Sequence, residues 1–204
     1  VNVLCIVLGV SAASSNVQLT IVAGLAATFA EGFSMGAVAY TSSKAEESYY
    51  KSQEEKEKCE MREMPEKEKK EIYDIYHKKG FRGKLLNDIV KHITSNKKVW
   101  LNIMMKEELK LEKYLVNPLK KGIVVGLAAI VGSMIPIISL FFLPMPIAIY
   151  SSVIISAIAL FITGALEAKI NIGNWIKKGI QLMLIGMVAA VIGFIIGKLL
   201  GTSV

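Results

Sequence analysis

Long uncharged, apolar runs alternate with a single stretch of mixed charge along this chain, and that alternation predicts most of its elements. Three uncharged runs, Gly122 to Leu143, Ile147 to Leu166 and Gly179 to Gly197, each reach roughly the 20 residues that a helix needs to cross a hydrocarbon layer. A fourth, from about Val17 to Ser43, is interrupted only by Glu31. The stretch Val1 to Ala13 is apolar but too short to cross alone. Without a basic region ahead of it, it does not read as a signal peptide; we expect the remaining part of a first spanning helix. The break from Ser11 to Asn16 would join it to the second helix as a hairpin.

Between Lys44 and Lys121 the pattern changes. This stretch holds 15 of the 17 acidic residues and 20 of the 24 basic ones. Ile72, Ile75, Tyr76, Leu85, Ile89, Trp100, Leu109 and Leu111 recur in it at helical spacing, which predicts a small helical bundle rather than disorder. No strong breaker stands between Gly36 and Pro65, so the second span and the first charged helix are expected to form one rod. Pro65 suits the first turn of a new helix, with Glu66 and Glu68 at its positive end, and Gly80 ends it. Further helices are expected over Arg82 to Thr94 and Lys97 to Val116, with Asn117-Pro118 closing the module. Small residues recur four apart at Gly32 and Gly36 and at Gly193, Gly197 and Gly201, a spacing that lets helices approach closely.

The expected fold is therefore all-α: a polytopic membrane protein of five transmembrane helices, the first partial, with a helical domain between spans two and three. Its parts are residues 1–43 (a partial first and a full second span), 44–117 (the charged module) and 118–204 (spans three to five). A 53% hydrophobic content and a mean hydropathy of +0.48 agree with an integral membrane protein. Loop charges set the orientation. The module carries twenty Lys and Arg, the loop near Lys169 to Lys178 three, and the connection around Pro144 none. The module and the fourth-to-fifth loop are expected in the cytoplasm, with the amino terminus on that side and the carboxy terminus outside or in a lumen. The +7 net charge thus describes orientation and gives little support to nucleic-acid binding. Cys5 and Cys59 have no evident pairing partner and read as reduced thiols.

Three sets of residues offer chemistry. Glu31 is an ionisable residue within a span, a costly feature that points to a pathway, and Met35 lies one turn on along the same face. Met104, Glu108 and Glu112 stand at i, i+4 and i+8, which on a helix aligns a thioether and two carboxylates. Such a mixed set suits a borderline divalent ion such as Fe²⁺ better than Mg²⁺ or Ca²⁺. Glu57/Glu60 and Glu68/Glu71 have i, i+3 spacing on successive helices; two antiparallel helices could cluster all four, which then needs a cation. Each set has a plainer reading: a helix with Met in the bundle core, Glu–Lys pairing with Lys56, Lys58, Lys67, Lys69 and Lys70, or a Glu31 that snorkels to an interface. His77 and His92 lack ligand spacing and read as surface or capping residues, and Glu167 as an ion pair with Lys169. No nucleotide loop, catalytic triad pattern or Cys/His metal motif is present, so no enzymatic chemistry is expected.

Gly24 to Gly36 with its Glu31 and Met35, Glu57-x-x-Glu60, Met64-Pro65-x-x-Glu68-x-x-Glu71, Met104-Met105-x-x-Glu108-Leu-x-Leu-Glu112 and the closing Trp175 to Gly201 segment together resemble the vacuolar iron transporter family. The similarity covers the whole chain in order, and the motifs are specific as a set. It implies a homodimer of five-span subunits whose cytoplasmic domain captures Fe²⁺ and feeds a pathway near the dimer interface, coupled to proton antiport. By position it implies metal binding by Glu57, Glu60, Glu68, Glu71, Met104, Met105 and Glu108, with Met35 as the thioether ligand in the membrane. The family's first-span Asp would fall just before Val1, and some members carry the second-span acid where Ala27 stands.

We expect from these readings a transporter that exports Fe²⁺, with Mn²⁺ as a second ion, from the cytoplasm in exchange for protons, without a resident cofactor. The metal ligands would be Glu57, Glu60, Glu68, Glu71, Met104, Met105, Glu108 and Glu112, and the pathway residues Glu31 and Met35. Its partners would be the bilayer, a second copy of the chain, divalent ions and protons. A different class, a membrane-anchored divalent-metal sensor or buffer, leaves the intramembrane Glu31 without a task. A ferritin-like oxidase lacks the Glu-x-x-His partners of such sites. The Lys- and Ile-rich composition leans toward a prokaryotic cell membrane, with a vacuolar or other organelle membrane as the eukaryotic equivalent.

Overall fold

The computed structural model describes residues 1–14, 16–112, 116–171 and 173–201. Among them every regular element is helical, in the order α1 (Asn2–Ala13), α2 (Val17–Glu63), α3 (Pro65–Lys78), α4 (Gly83–Ser95), α5 (Lys97–Ile103), a π-helical turn (Met104–Glu108), α6 (Pro118–Phe142), α7 (Met145–Ile170) and α8 (Trp175–Leu200). Four of these, α2, α6, α7 and α8, are long and apolar enough to cross a membrane. With 12 residues, α1 rises only about 18 Å. The expected rod is present, since α2 runs unbroken through 47 residues. The chain divides into two compact units, residues Val1–Ala39 with Lys121–Val204, and Tyr40–Lys120.

In the first unit α1 is the buried element. Val3, Leu4, Val7 and Leu8 are at most 4% exposed, Val3 and Val7 packing with Ile137, Leu140 and Ala148 and Leu4 and Leu8 with Ala190. Helix α8 lies against α1 and α7, and its glycine series allows that approach: a Cβ on Gly193, Gly197 or Gly201 would run into Cys5, Gly9 or Ala13 of α1. The second small-residue series does the same elsewhere, Gly32 and Gly36 of α2 meeting Gly122 and Gly126 of α6 backbone to backbone. The outward faces stay apolar, with Phe33, Val131, Tyr150 and Leu199 all at least 70% exposed, as a lipid-facing surface requires. Pro136 inside α6 cannot donate to the carbonyl of Gly132. Hydroxyls bridge the helices around it: Ser152 Oγ donates to the Pro136 carbonyl at 2.7 Å and Ser139 Oγ to that of Ala148 at 2.9 Å.

The second unit packs α3, α4, α5 and the π turn on one another. Its core joins Ile72, Ile93, Trp100 and Met104, flanked by Met61, Tyr76, Ile89, Val90 and Ile103. Pro65 occupies the first turn of α3 as expected, and Asn96 caps α5 by accepting from the amides of Lys98 and Val99. The fourth module helix ends earlier than the periodicity suggests. The Met104 carbonyl accepts from Leu109 N and the Met105 carbonyl from Leu111 N, while Lys110 turns to φ 55°. The second of these closures runs around the left-handed Lys110 and stops the helix. The rest of the predicted helix, at 113–115, lies outside the described residues.

Candidate metal centre

Three separated segments of the second unit bring one carboxylate each to a common point. Glu57 comes from the charged end of α2, Glu68 from the first turn of α3 and Glu108 from the end of the π turn, and one oxygen from each lies within 4.8 Å of the others. The reversal at Met64-Pro65 sets the first two facing, and Met64 accepts from the amides of Lys67 and Glu68 to open α3. The π turn then supplies the third. A π-helix widens the backbone by one residue per turn and is frequent at functional sites; here it follows the buried Trp100 and carries the buried Met104 and Met105. Outside the turn, Lys79 grips Glu107 at 2.6 Å while lying over the Tyr76 ring, which ties the π turn to the end of α3.

The electrostatics of the cluster favour uptake of a cation or a proton. Glu57 is 2% exposed and Glu68 fully buried, yet Glu57 Oε2 and both carboxylate oxygens of Glu68 have no hydrogen-bond partner. A buried carboxylate without donors is unfavourable as an anion and takes up a proton or a metal instead. Burial, reinforced by the neighbouring carboxylates of Glu71, Glu57 and Glu60, pushes Glu68 up to about 7. Glu108, at the exposed rim, is likewise raised to about 7, by lost hydration first and then by the charges of Glu71, Glu57, Glu68 and Glu60. Glu57 is shifted upward by burial, Glu60 and Glu71. Met104 packs in the bundle core with Ile72, Ile93 and Trp100, and Met105 is buried; the three carboxylates by themselves offer oxygen donors.

The other residues singled out from the sequence divide around this cluster. Glu60 and Glu71 stand beside it, each also paired one turn away along its helix, with Lys56 at 3.6 Å and Lys67 at 3.5 Å. The carboxylate cluster and the Glu–Lys pairing predicted as its plainer alternative thus occur side by side. Glu112 is exposed and follows the helix stop at Lys110, so the i+8 alignment with Met104 is corrected: the π turn and the left-handed residue take it off that face. His77 stacks on Tyr73, its carbonyl accepting from Arg82, and His92 offers its carbonyl to Ser95 Oγ. Neither belongs to the acidic cluster. Glu167 pairs with Lys178 at 3.9 Å rather than with Lys169, because the turn after α7 brings the start of α8 alongside.

In the first unit Glu31 is half-buried and held by two neutral donors. Asn2 Nδ2 of α1 donates to Oε1 at 2.9 Å and Ser133 Oγ of α6 to Oε2 at 2.8 Å. Glu31 and Met35 line one cavity of about 230 Å³. Neither Asn2 nor Ser133 stood out in the sequence, since nothing local links them to an acid 29 or 102 residues away.

Residues 1–198 match the sequence profile of the VIT family. The chain belongs to the VIT family. Its relatives include the Vacuolar iron transporter 1 of Tulipa gesneriana, 30% identical over 194 residues, covering 93% of this chain and 78% of that protein. The Vacuolar iron transporter of Plasmodium berghei is 32% identical over 216 residues, covering 100% and 78%. The Vacuolar iron transporter 1 of Arabidopsis thaliana is 28% identical over 194 residues, covering 93% and 77%. The family consists of transporters, so membership agrees with the expectation that this protein is not an enzyme. It also agrees with an integral membrane protein whose long apolar helices cross the bilayer.

Proposed function

We propose that this VIT family protein transports Fe²⁺ out of the cytoplasm, with Mn²⁺ as a second substrate, in exchange for protons. The observation that carries the reading is the convergence of Glu57, Glu68 and Glu108 within 4.8 Å, with buried, unpartnered oxygens on Glu57 and Glu68, in a membrane protein whose relatives are named iron transporters. In this reading the module, residues 44–117, is cytoplasmic by its Lys and Arg count. It captures the ion with Glu57, Glu68 and Glu108, assisted by Met104 and Met105, while Glu60 and Glu71 supply attracting charge. Glu31 and Met35 form the intramembrane station, within a homodimer of five-span subunits.

Coupling follows from competition. Glu68 and Glu108, held near 7, exchange a proton for a cation close to neutral pH, because metal binding requires the deprotonated ligand. At Glu31 an acidic far side would favour protonation and release of the ion. The test is Fe²⁺ uptake into proteoliposomes with and without an acidic interior. Gradient-driven uptake that falls in Met35→Ala and Glu108→Ala supports both stations. Metal binding without flux turns the reading into that of a membrane-anchored sensor or buffer.

A further inference from the structure

The cavity beside Glu31 and Met35 contains a polar group that the reading above does not use. Ser156, in the middle of α7, lines that cavity; it is 5% exposed, and its Oγ has no hydrogen-bond partner. Its neighbours make the omission specific. Ser152, one turn earlier on α7, donates to the Pro136 carbonyl at 2.7 Å, Ser139 to Ala148 at 2.9 Å, and Thr28 to Gly24 at 2.9 Å. A hydroxyl in a helix can ordinarily satisfy itself on the carbonyl one turn back, as Thr163 does on Ala159 at 2.8 Å. Ser156 does not. The same cavity is lined by Gly132, whose carbonyl lacks its usual amide partner because the residue four positions on is Pro136.

A buried hydroxyl without a partner, as on Ser156, is costly unless a ligand satisfies it. The cavity is also lined by a carboxylate and a thioether, and its volume of about 230 Å³ leaves room for an ion with several of its waters. Resting on the transport reading of Glu31 and Met35, we propose that Ser156 Oγ is a further ligand of the transported divalent cation. It would supply a hard oxygen from α7 opposite the acid on α2. The site then draws on α2, α6 and α7, with Ser133 and Asn2 orienting the Glu31 carboxylate from α6 and α1.

The chemistry predicts opposite behaviour for two neighbouring serines. Ser156→Ala removes a hydroxyl that bonds nothing in the metal-free protein, so the thermal midpoint without metal stays level or rises, while KM for Fe²⁺ flux increases roughly five- to tenfold with little change in kcat. Ser152→Ala breaks the bond to Pro136 and lowers the midpoint but leaves KM unchanged. Ser156→Cys exchanges a hard for a soft donor and makes flux sensitive to lower Cd²⁺. Binding is read separately in the full-length chain carrying Glu57→Ala and Glu108→Ala, as the Mn²⁺-dependent rise in thermal midpoint with and without Ser156→Ala. Loss of that rise supports Ser156 as a ligand; an unchanged rise, or an unchanged KM in Ser156→Ala, overturns it. A wild-type chain that carries no ion counts against the transport reading alone, since the binding arm still decides the role of Ser156.

Discussion

The two acidic sites of this protein solve the problem of a sequestered carboxylate in opposite ways. In the module, three carboxylates crowd within 4.8 Å, and the two buried ones keep oxygens that no donor reaches. Within the first unit a single carboxylate is met by two neutral donors, one for each oxygen. The first arrangement is unfavourable until a cation or protons arrive. The second is satisfied while empty, so an ion must displace or share existing hydrogen bonds. In the transport reading proposed above, high-affinity capture falls to the first arrangement and ready release to the second.

The most severe way to break this contrast is to remove a module carboxylate. Glu68→Gln should weaken Mn²⁺ binding by about a hundredfold, on the order of 3 kcal/mol for one charged partner of a buried set. The same change should leave the metal-free protein equally or more stable, because a strained charge is gone. Titration calorimetry and thermal unfolding of the same sample check both halves. A loss of metal-free stability would mean that Glu68 is satisfied in a way the geometry does not show.

Acidity sharpens the contrast next. Glu68 and Glu108 have folded-state values near 7 against an ordinary 4.5, so between those limits the folded protein binds more protons than the unfolded chain. Stability without metal should therefore be full below about pH 4.5 and decline as the pH rises through 7. Metal affinity should run the other way, increasing through the same window as protons leave the ligands. Unfolding in chelator at pH 5 and pH 8, repeated with Mn²⁺, reads this: the metal should restore at pH 8 what deprotonation removed.

Smaller effects are expected where groups are already satisfied. Ser133→Ala takes one donor from Glu31 and should cost about 1 kcal/mol of stability, with reduced flux and unchanged metal binding by the module. The least effect is expected from Lys79→Ala. It removes a part-exposed ion pair with Glu107 worth about 0.5 kcal/mol, and should loosen Mn²⁺ binding severalfold at most.

The helical frame was largely legible because it rests on local rules. Apolar runs located α6, α7 and α8, the absence of a breaker before Pro65 foretold the long α2, and the glycine spacings in α2 and α8 marked real helix contacts. The acids of the module were legible as i, i+3 pairs, but which three would converge was not. That depends on a reversal at Pro65 and on a π turn whose closure at Lys110 excludes Glu112. Partners from distant helices left no trace in the pattern at all. Asn2 and Ser133 find Glu31, and Lys178 finds Glu167, only through packing.

The most direct test of the division between capture and passage is Fe²⁺ flux measured against concentration in proteoliposomes for the wild type, Glu68→Gln and Glu31→Gln. Glu68→Gln should raise KM while flux at saturating Fe²⁺ is largely kept, and Glu31→Gln should lower the maximal flux while calorimetric metal binding by the module stays intact. The account is contradicted if Glu31→Gln transports like the wild type, or if Glu68→Gln abolishes flux at every Fe²⁺ concentration.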